Sequence, residues 1–314
     1  MLCAAAVAAI MGTASHVFAY DWNNLPVPAK AGVNKVWVLD EEQSDDFNYK
    51  AKKMPFLFFF FNQSPFAQKW YDNHIRGWDG PGATLFSSKH SYIENGKLVL
   101  KAERVPEDKQ GEPFTDSGLT TTKKVYAPFV TAKKTVKWPV YVEARMKTSA
   151  LVLASNFWLL SDDDRNEIDV TETYGDGQDA YQMRTNYHVF DRDPVTNDML
   201  GDFGHVQKHY DSEDKTKLTE TYHRFGVFWK NPEHIEFYFD GKLVRTLTPE
   251  TGLRDEKGYF FDREMRLIFD MEDHTWRAKK GITPSDKELA DESINKMFVD
   301  WVRIYKPTPK GDVE

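Results

Sequence analysis

Glu167, Asp169 and Glu172 stand in one short run, Glu167-Ile168-Asp169-Val170-Thr171-Glu172. Three carboxyl groups so close together suit acid–base or nucleophilic work on a bond held between them. Ile168 and Val170 ask for a strand with one apolar face. Glu167 and Asp169, two apart, then share the opposite face. Glu172 lies at an odd offset from Glu167. In a regular strand it would enter the core, where an unpaired carboxylate is costly. A β-bulge near Val170-Thr171 absorbs one residue and returns Glu172 to the face of the other two. Four effective steps of roughly 3.3 Å put the two Glu Cα atoms about 13 Å apart. Side chains leaning together then bring the carboxyls to about 5–6 Å, close to the separation used by retaining glycosidases. One Glu would be the nucleophile and the other the proton donor. Asp169 between them can hydrogen-bond the nucleophile and hold negative charge that keeps the acid protonated. Trp158 is expected on the preceding strand, as an indole on which a sugar ring stacks. A solvated acidic strand or a calcium site would use the same carboxylates, although Ca²⁺ loops usually set Asp, Asn and Gly in a turn.

The elements that must position this run read as β-strands. Val140, Val142, Ala144 and Met146 alternate with Tyr141, Glu143, Arg145 and Lys147, which predicts a strand with one core face and one outer face. Ile235–Phe239 and Lys242–Arg245 flank Asp240-Gly241, a two-residue hairpin turn, and Asn95-Gly96 marks a second hairpin. Phe298–Tyr305 is a last strand, stopped by Pro307. One helix is predicted near the end, capped by Thr283, with Pro284 in the first position and Asp286 and Glu288 in the first turn. Many short strands at this spacing predict an all-β sandwich. The run Met54–Phe61 reads as a buried strand or a loop packed on the core, with an aromatic flap over a ligand as the alternative.

Composition narrows the partners. The 314 residues carry 49 acidic and 41 basic side chains, a net charge of −8, so no wide basic face for nucleic acid or a heavily sulfated polyanion is expected. Aromatic residues reach 14%, which suits a cleft that binds an extended polymer. Leu2–Ala14 is small and apolar and too short to span a bilayer. Val17 and Ala19 sit at the −3 and −1 positions of a signal-peptidase site, so residues 1–19 read as a signal peptide without its positive n-region. The mature chain, starting at Tyr20, would be secreted or periplasmic. Cys3, the single cysteine, falls inside that leader, which leaves no thiol for disulfides, nucleophiles or thiolate zinc sites. No repeat or linker divides residues 20–314, which read as one domain. His205 and His209 have a metal-like spacing but no evident third ligand.

The bulged Glu167–Glu172 run resembles the signature of glycoside hydrolase family 16. The flanking blocks look like the β-agarases of that family: Trp78-Asp-Gly-Pro-Gly-Ala-Thr84, Ala154–Leu160, Glu172–Gly175, His188–Pro194, Met271–Arg277 and Val299–Tyr305. The resemblance implies a jelly-roll β-sandwich of two antiparallel sheets with a concave substrate cleft. It implies a secreted, endo-acting retaining β-agarase that releases neoagaro-oligosaccharides from agarose and acts as a monomer. A β-porphyranase or another red-algal galactanase on the same scaffold is the nearest alternative, and a non-catalytic carbohydrate-binding sandwich a further one. The short basic pairs Lys123-Lys124 and Lys133-Lys134 keep a sulfated substrate in view.

By this resemblance Glu167 is the nucleophile, Glu172 the general acid/base and Asp169 the helper between them. Trp158 is the platform of the −1 subsite and Trp78 a second stacking residue at the cleft edge. Arg192 would reach sugar hydroxyls, with a surface ion pair to Asp191 or Asp193 as its structural alternative. Glu272 would bind substrate, supported by Trp276 and Arg277, and His188 would line the cleft. No cofactor is needed for catalysis. A structural Ca²⁺ is implied, held by Asp300 and by backbone oxygens that include Gly96. The Phe-rich run 56–61 and the insert Arg192–His209 match no part of the family pattern and are expected at cleft edges.

Overall fold

Alternating apolar residues build nearly every strand, and their core faces meet in a single layer. The computed structural model describes residues 22–49, 64–254, 258 and 261–313. The expected leader 1–19 with Cys3 and the Phe-rich run 56–61 lie outside the described residues. Two antiparallel sheets of eight strands each pack face to face. The first runs in the order Met199–Asp202, Gln182–Arg192, Asn166–Tyr174, Ala154–Ser161, Met265–Glu272, Phe129–Ala132, Trp70–Tyr71, with Lys208–Asp211 also paired to Gln182–Arg192. The second runs Lys242–Leu247, His234–Phe239, His223–Asn231, Val140–Lys147, Lys296–Pro309, Lys97–Lys101, Ser91–Glu94, with Lys35–Leu39 added to Lys296–Pro309. Strands distant in sequence lie side by side in both sheets, the order of a jelly-roll sandwich. Val142, Ala144, Phe157, Ile168, Val170, Val227 and Phe269 are among the side chains that close the core between them.

The outer face of the Val140–Lys147 strand differs from the alternating expectation. Tyr141 and Glu143 are fully buried. The segment before and including Lys35–Leu39 covers that face, where Ala29, Val27 and Trp37 pack on Tyr141, Phe228 and Tyr238. Arg303, also buried, ties this cover down: its Nε donates to Glu143 Oε2 at 2.7 Å and its guanidinium reaches the carbonyls of Leu25 and Pro26. Glu143→Ala strands the Arg303 charge and is expected to cost about 3–5 kcal/mol in urea-unfolding stability.

Turns follow the sequence reading. Asp240 and Gly241 both take positive φ (48° and 81°), as a two-residue type I′ turn requires, and Phe239 pairs with Lys242. Two expectations are corrected. The last strand runs through Pro307 to Pro309, because beyond Tyr305 it pairs only with Lys35–Leu39, and an edge tolerates a proline. The late helix is Asp286–Ala290 and its cap is Ser285, in a capping box with Glu288. Thr283 instead donates its hydroxyl to Asp273 Oδ2 at 2.6 Å.

Candidate active site

The ladder between Ala154–Ser161 and Asn166–Tyr174 shifts register once. Phe157 faces Thr171, while Trp158 faces Asp169, so Val170 is the additional residue. Val170 and Thr171 are both fully buried, and Glu172 returns to the outer face opposite Asn156. The bulge expected from the odd offset therefore lies where the sequence required it. It sets Glu167, Asp169 and Glu172 on the floor of one cleft of about 640 Å³. Trp158, Trp78, Arg192 and Glu272 line the same cleft, joined by His74, Arg76, Asn156, Asp164, Phe190 and Met199.

Burial shapes the electrostatics of Glu167 and Asp169. Burial raises the Glu167 carboxyl, and Glu172 and Glu272 add to the rise; His188 opposes it, and the result is about 7. Burial and the charge of Glu167 push the Asp169 carboxyl up as well. The two raised carboxyls therefore titrate as one coupled pair. The charge that balances the floor is His188, directly opposite Glu167 on the neighbouring strand. Its Nε2 lies 3.7 Å from Glu167 Oε1 and 3.5 Å from Asp169 Oδ2, and its Nδ1 2.6 Å from Asp202 Oδ2. Burial disfavours the imidazolium, but Glu167, Asp202 and Asp169 outweigh it and hold its pKa at about 10. His188 is thus a cation behind the carboxylates rather than the cleft-lining, substrate-binding residue expected.

Glu172 has a different surround. Gln207 Nε2 donates to its Oε2 at 3.4 Å, and His274 Nε2 stands 4.0 Å from Oε1. His274 is fixed by Glu272 Oε2 at 2.7 Å and by Tyr174 Oη at 2.9 Å. Burial opposes a charge on His274, yet the Glu272 hydrogen bond prevails and raises its pKa. Beneath Glu272 lies Asp270, wholly buried, with its carboxyl kept protonated first by burial and then by the Glu272 charge. Sequence reasoning missed His274, Tyr174 and Asp270. A clue was available in the spacing Asp270, Glu272, His274, which puts two carboxyls on one face at the end of a strand with an imidazole two residues beyond.

Trp158 is almost buried and meets Phe129 edge-on, so only part of its indole faces the cleft. Trp78 is 40% exposed and stands at the rim against His74 and Phe86. Its turn needs glycine: Gly80 and Gly82 have positive φ, and a Cβ on Gly82 would meet Thr275 Oγ1 at 2.7 Å. Arg192 makes no ion pair with Asp191 or Asp193. Its Nε donates to the Asp164 carbonyl at 2.7 Å and its Nη1 to that of Asn197 at 3.1 Å, which aims it along the cleft wall. The insert Arg192–His209 forms two short strands beside Gln182–Arg192 and brings Met199 to the cleft. Trp276 is exposed and packs on Tyr174, and Arg277 is buried over the Tyr174 ring in ion pairs with Asp176 and Asp179.

The residues at the implied calcium site do not fit that ion. Asp300 Oδ1 is paired to Lys97 Nζ at 2.9 Å and Oδ2 to Arg145 Nη1, so two cations already take the carboxylate. Gly96 is, with Asn95, one of the two positive-φ residues of the hairpin turn beside Lys97. His205 and His209 do not converge: His205 faces Asp202, and His209 contacts Arg184 and Gln207.

Paired carboxyl groups on the floor of an aromatic-lined cleft, in a jelly-roll sandwich, define a glycoside hydrolase. The chain belongs to glycoside hydrolase family 16: residues 37–307 match the family model described as the GH16 domain of β-porphyranases A–D. An extracellular agarase of Streptomyces coelicolor is 38% identical to it over 93% of this chain and 91% of that protein. β-Agarase AgaB34 of Agarivorans albus is 39% identical over 98% of this chain, which spans 66% of that longer protein. The structure of β-agarase B from Zobellia galactanivorans superposes with a TM-score of 0.75 at 34% identity, covering 92% of this chain and all of that one.

Proposed function

We propose that this chain is an endo-acting retaining β-agarase that hydrolyses the β-1,4-galactosidic links of agarose and releases neoagaro-oligosaccharides. The observation that carries the reading is the single bulge at Val170, which sets Glu167 and Glu172 on one face with Asp169 between them. Glu172 protonates the leaving oxygen while Glu167 attacks C1, giving a glycosyl-enzyme; water activated by Glu172 then releases the sugar with retained configuration. Asp169 hydrogen-bonds Glu167, and the His188 imidazolium stabilises Glu167 as the departing carboxylate. The extracellular agarase of Streptomyces coelicolor supports an exported enzyme, and among the described residues no helix is long and apolar enough to cross a membrane.

The family model's name favours a second reading, a β-porphyranase. Sulfate esters on that polymer call for free cations in the cleft. The lining instead holds five carboxyl groups (Asp164, Glu167, Asp169, Glu172 and Glu272) against the guanidinium groups of Arg76 and Arg192. Arg76 faces Asp164 at 3.5 Å. The basic pairs also lie elsewhere: Lys123 bonds Asp79 and the Gly80 carbonyl, Lys133 the Ala67 carbonyl, and Lys134 pairs with Glu42. A neutral galactan suits this cleft better. Product release from agarose, porphyran, κ-carrageenan and laminarin tests the choice. Neoagaro-oligosaccharides from agarose are expected, and products from porphyran alone would overturn the substrate.

Two further outcomes follow from the geometry. Trp158→Ala removes the stacking surface and is expected to raise KM for agarose about tenfold, matching a loss of about 1.4 kcal/mol. The acid limb of kcat/KM reports ionisation of Glu167, so activity is present above about pH 7 and is lost as pH falls through it. His188→Asn removes the cation that favours the ionised form. It is expected to move that limb upward in a pH–rate profile; an unmoved limb would remove His188 from the account.

A further inference from the structure

We propose that His188, Asp202 and His205 form a Zn²⁺ site beside the cleft floor, distinct from the carboxylates that carry hydrolysis. His188 Nδ1 lies 2.6 Å and His205 Nδ1 3.4 Å from the same oxygen, Asp202 Oδ2. The three ligand atoms all fall within 4.8 Å of one another. A tetrahedral zinc with bonds of about 2.0–2.1 Å needs ligand atoms roughly 3.3 Å apart, so only small side-chain shifts separate this arrangement from coordination. Two imidazoles and one carboxylate are also the donor types that a borderline-soft divalent ion prefers.

The site is held in place by its surroundings. The His188 ring packs near-parallel to Phe190 at 5.2 Å, and its ring centre lies 5.8 Å from that of His205. Asp202 Oδ1 accepts from the Gly204 N–H at 3.3 Å, leaving Oδ2 to the histidines. The other nitrogen of His188 faces Glu167 and Asp169, the carboxylate–histidine support typical of metal-binding imidazoles. His205 is 64% exposed, so an ion enters from solvent and water completes the fourth position. On binding, the metal takes the place of the proton between His188 Nδ1 and Asp202, and that proton leaves to solvent. The imidazole opposite Glu167 is then a metal ligand, and zinc becomes a reversible inhibitor of the cleft.

Calorimetric titration of the chelator-treated protein with ZnCl₂ tests the site and needs no substrate, so its outcome is independent of the agarase reading. One ion per chain is expected, with a rise in Tm. His205→Ala, at an exposed position outside the hydrolytic machinery, should weaken zinc binding by at least about tenfold while leaving hydrolysis unchanged. His209→Ala should bind zinc as the parent does. No binding up to millimolar zinc, or equal affinity in His205→Ala and the parent, would overturn the proposal.

Discussion

Glu167→Gln is expected to reduce agarose hydrolysis by on the order of 10⁵-fold or more, the scale of losing a covalent nucleophile. The amide has nearly the same shape, so the fold should be untouched. Removing a carboxyl that burial already raises to about 7 should not lower stability, because its ionised form is the strained one. At Glu167 the folded state holds the proton more tightly than the unfolded chain does. Its contribution favours folding at low pH and is lost as pH rises through about 7. At pH 8 the Gln variant should therefore melt at or slightly above the parent. Residual turnover near parental levels would show that another group attacks C1. A large fall in Tm would instead give Glu167 a structural role.

Glu172→Gln is the second large effect, about 10²–10⁴-fold on agarose, the usual worth of a general acid. It should also be selective. A galactoside with a nitrophenolate leaving group needs no protonation, so its first step should be largely spared while water attack on the glycosyl-enzyme slows. The expected signature is a burst of nitrophenol followed by slow turnover, read by stopped-flow absorbance. Equal loss on activated and natural substrates without a burst would move the proton donor elsewhere. His274, 4.0 Å from Glu172 and anchored by Glu272 and Tyr174, would then be the group to examine.

The two carboxylates were legible because a strand imposes a strict rule. An even offset keeps a face, an odd one leaves it, and Glu172 breaks the rule in a way that only a bulge repairs. The same rule failed on Val140–Lys147. Its outer face is covered by residues from the chain start, and a local pattern carries no record of a segment that folds over it. Pro307 misled for a related reason: whether a proline stops a strand depends on which side is paired, and the register decides that. The helix cap moved from Thr283 to Ser285 because Ser285 has Glu288 three residues on and Thr283 has a tertiary partner in Asp273.

Roles that depend on charge balance were harder to read. His188 looked like a lone histidine until the register put it opposite Glu167 and the insert brought Asp202 behind it. Asp169 looked like an ordinary carboxylate until burial beside Glu167 raised its carboxyl. Asp300 looked like a calcium ligand until Lys97 and Arg145 were found on its oxygens. Each correction comes from a partner distant in sequence.

The most direct test of the central claim is the anomeric configuration of the first product, followed by proton NMR during early agarose hydrolysis. Attack by Glu167 followed by water on the same face predicts that the β-anomeric reducing-end signal appears first, with the α signal growing later by mutarotation. An α signal that leads from the earliest spectra would mean single-step inversion, and the pairing of Glu167 as nucleophile with Glu172 as acid/base would be wrong.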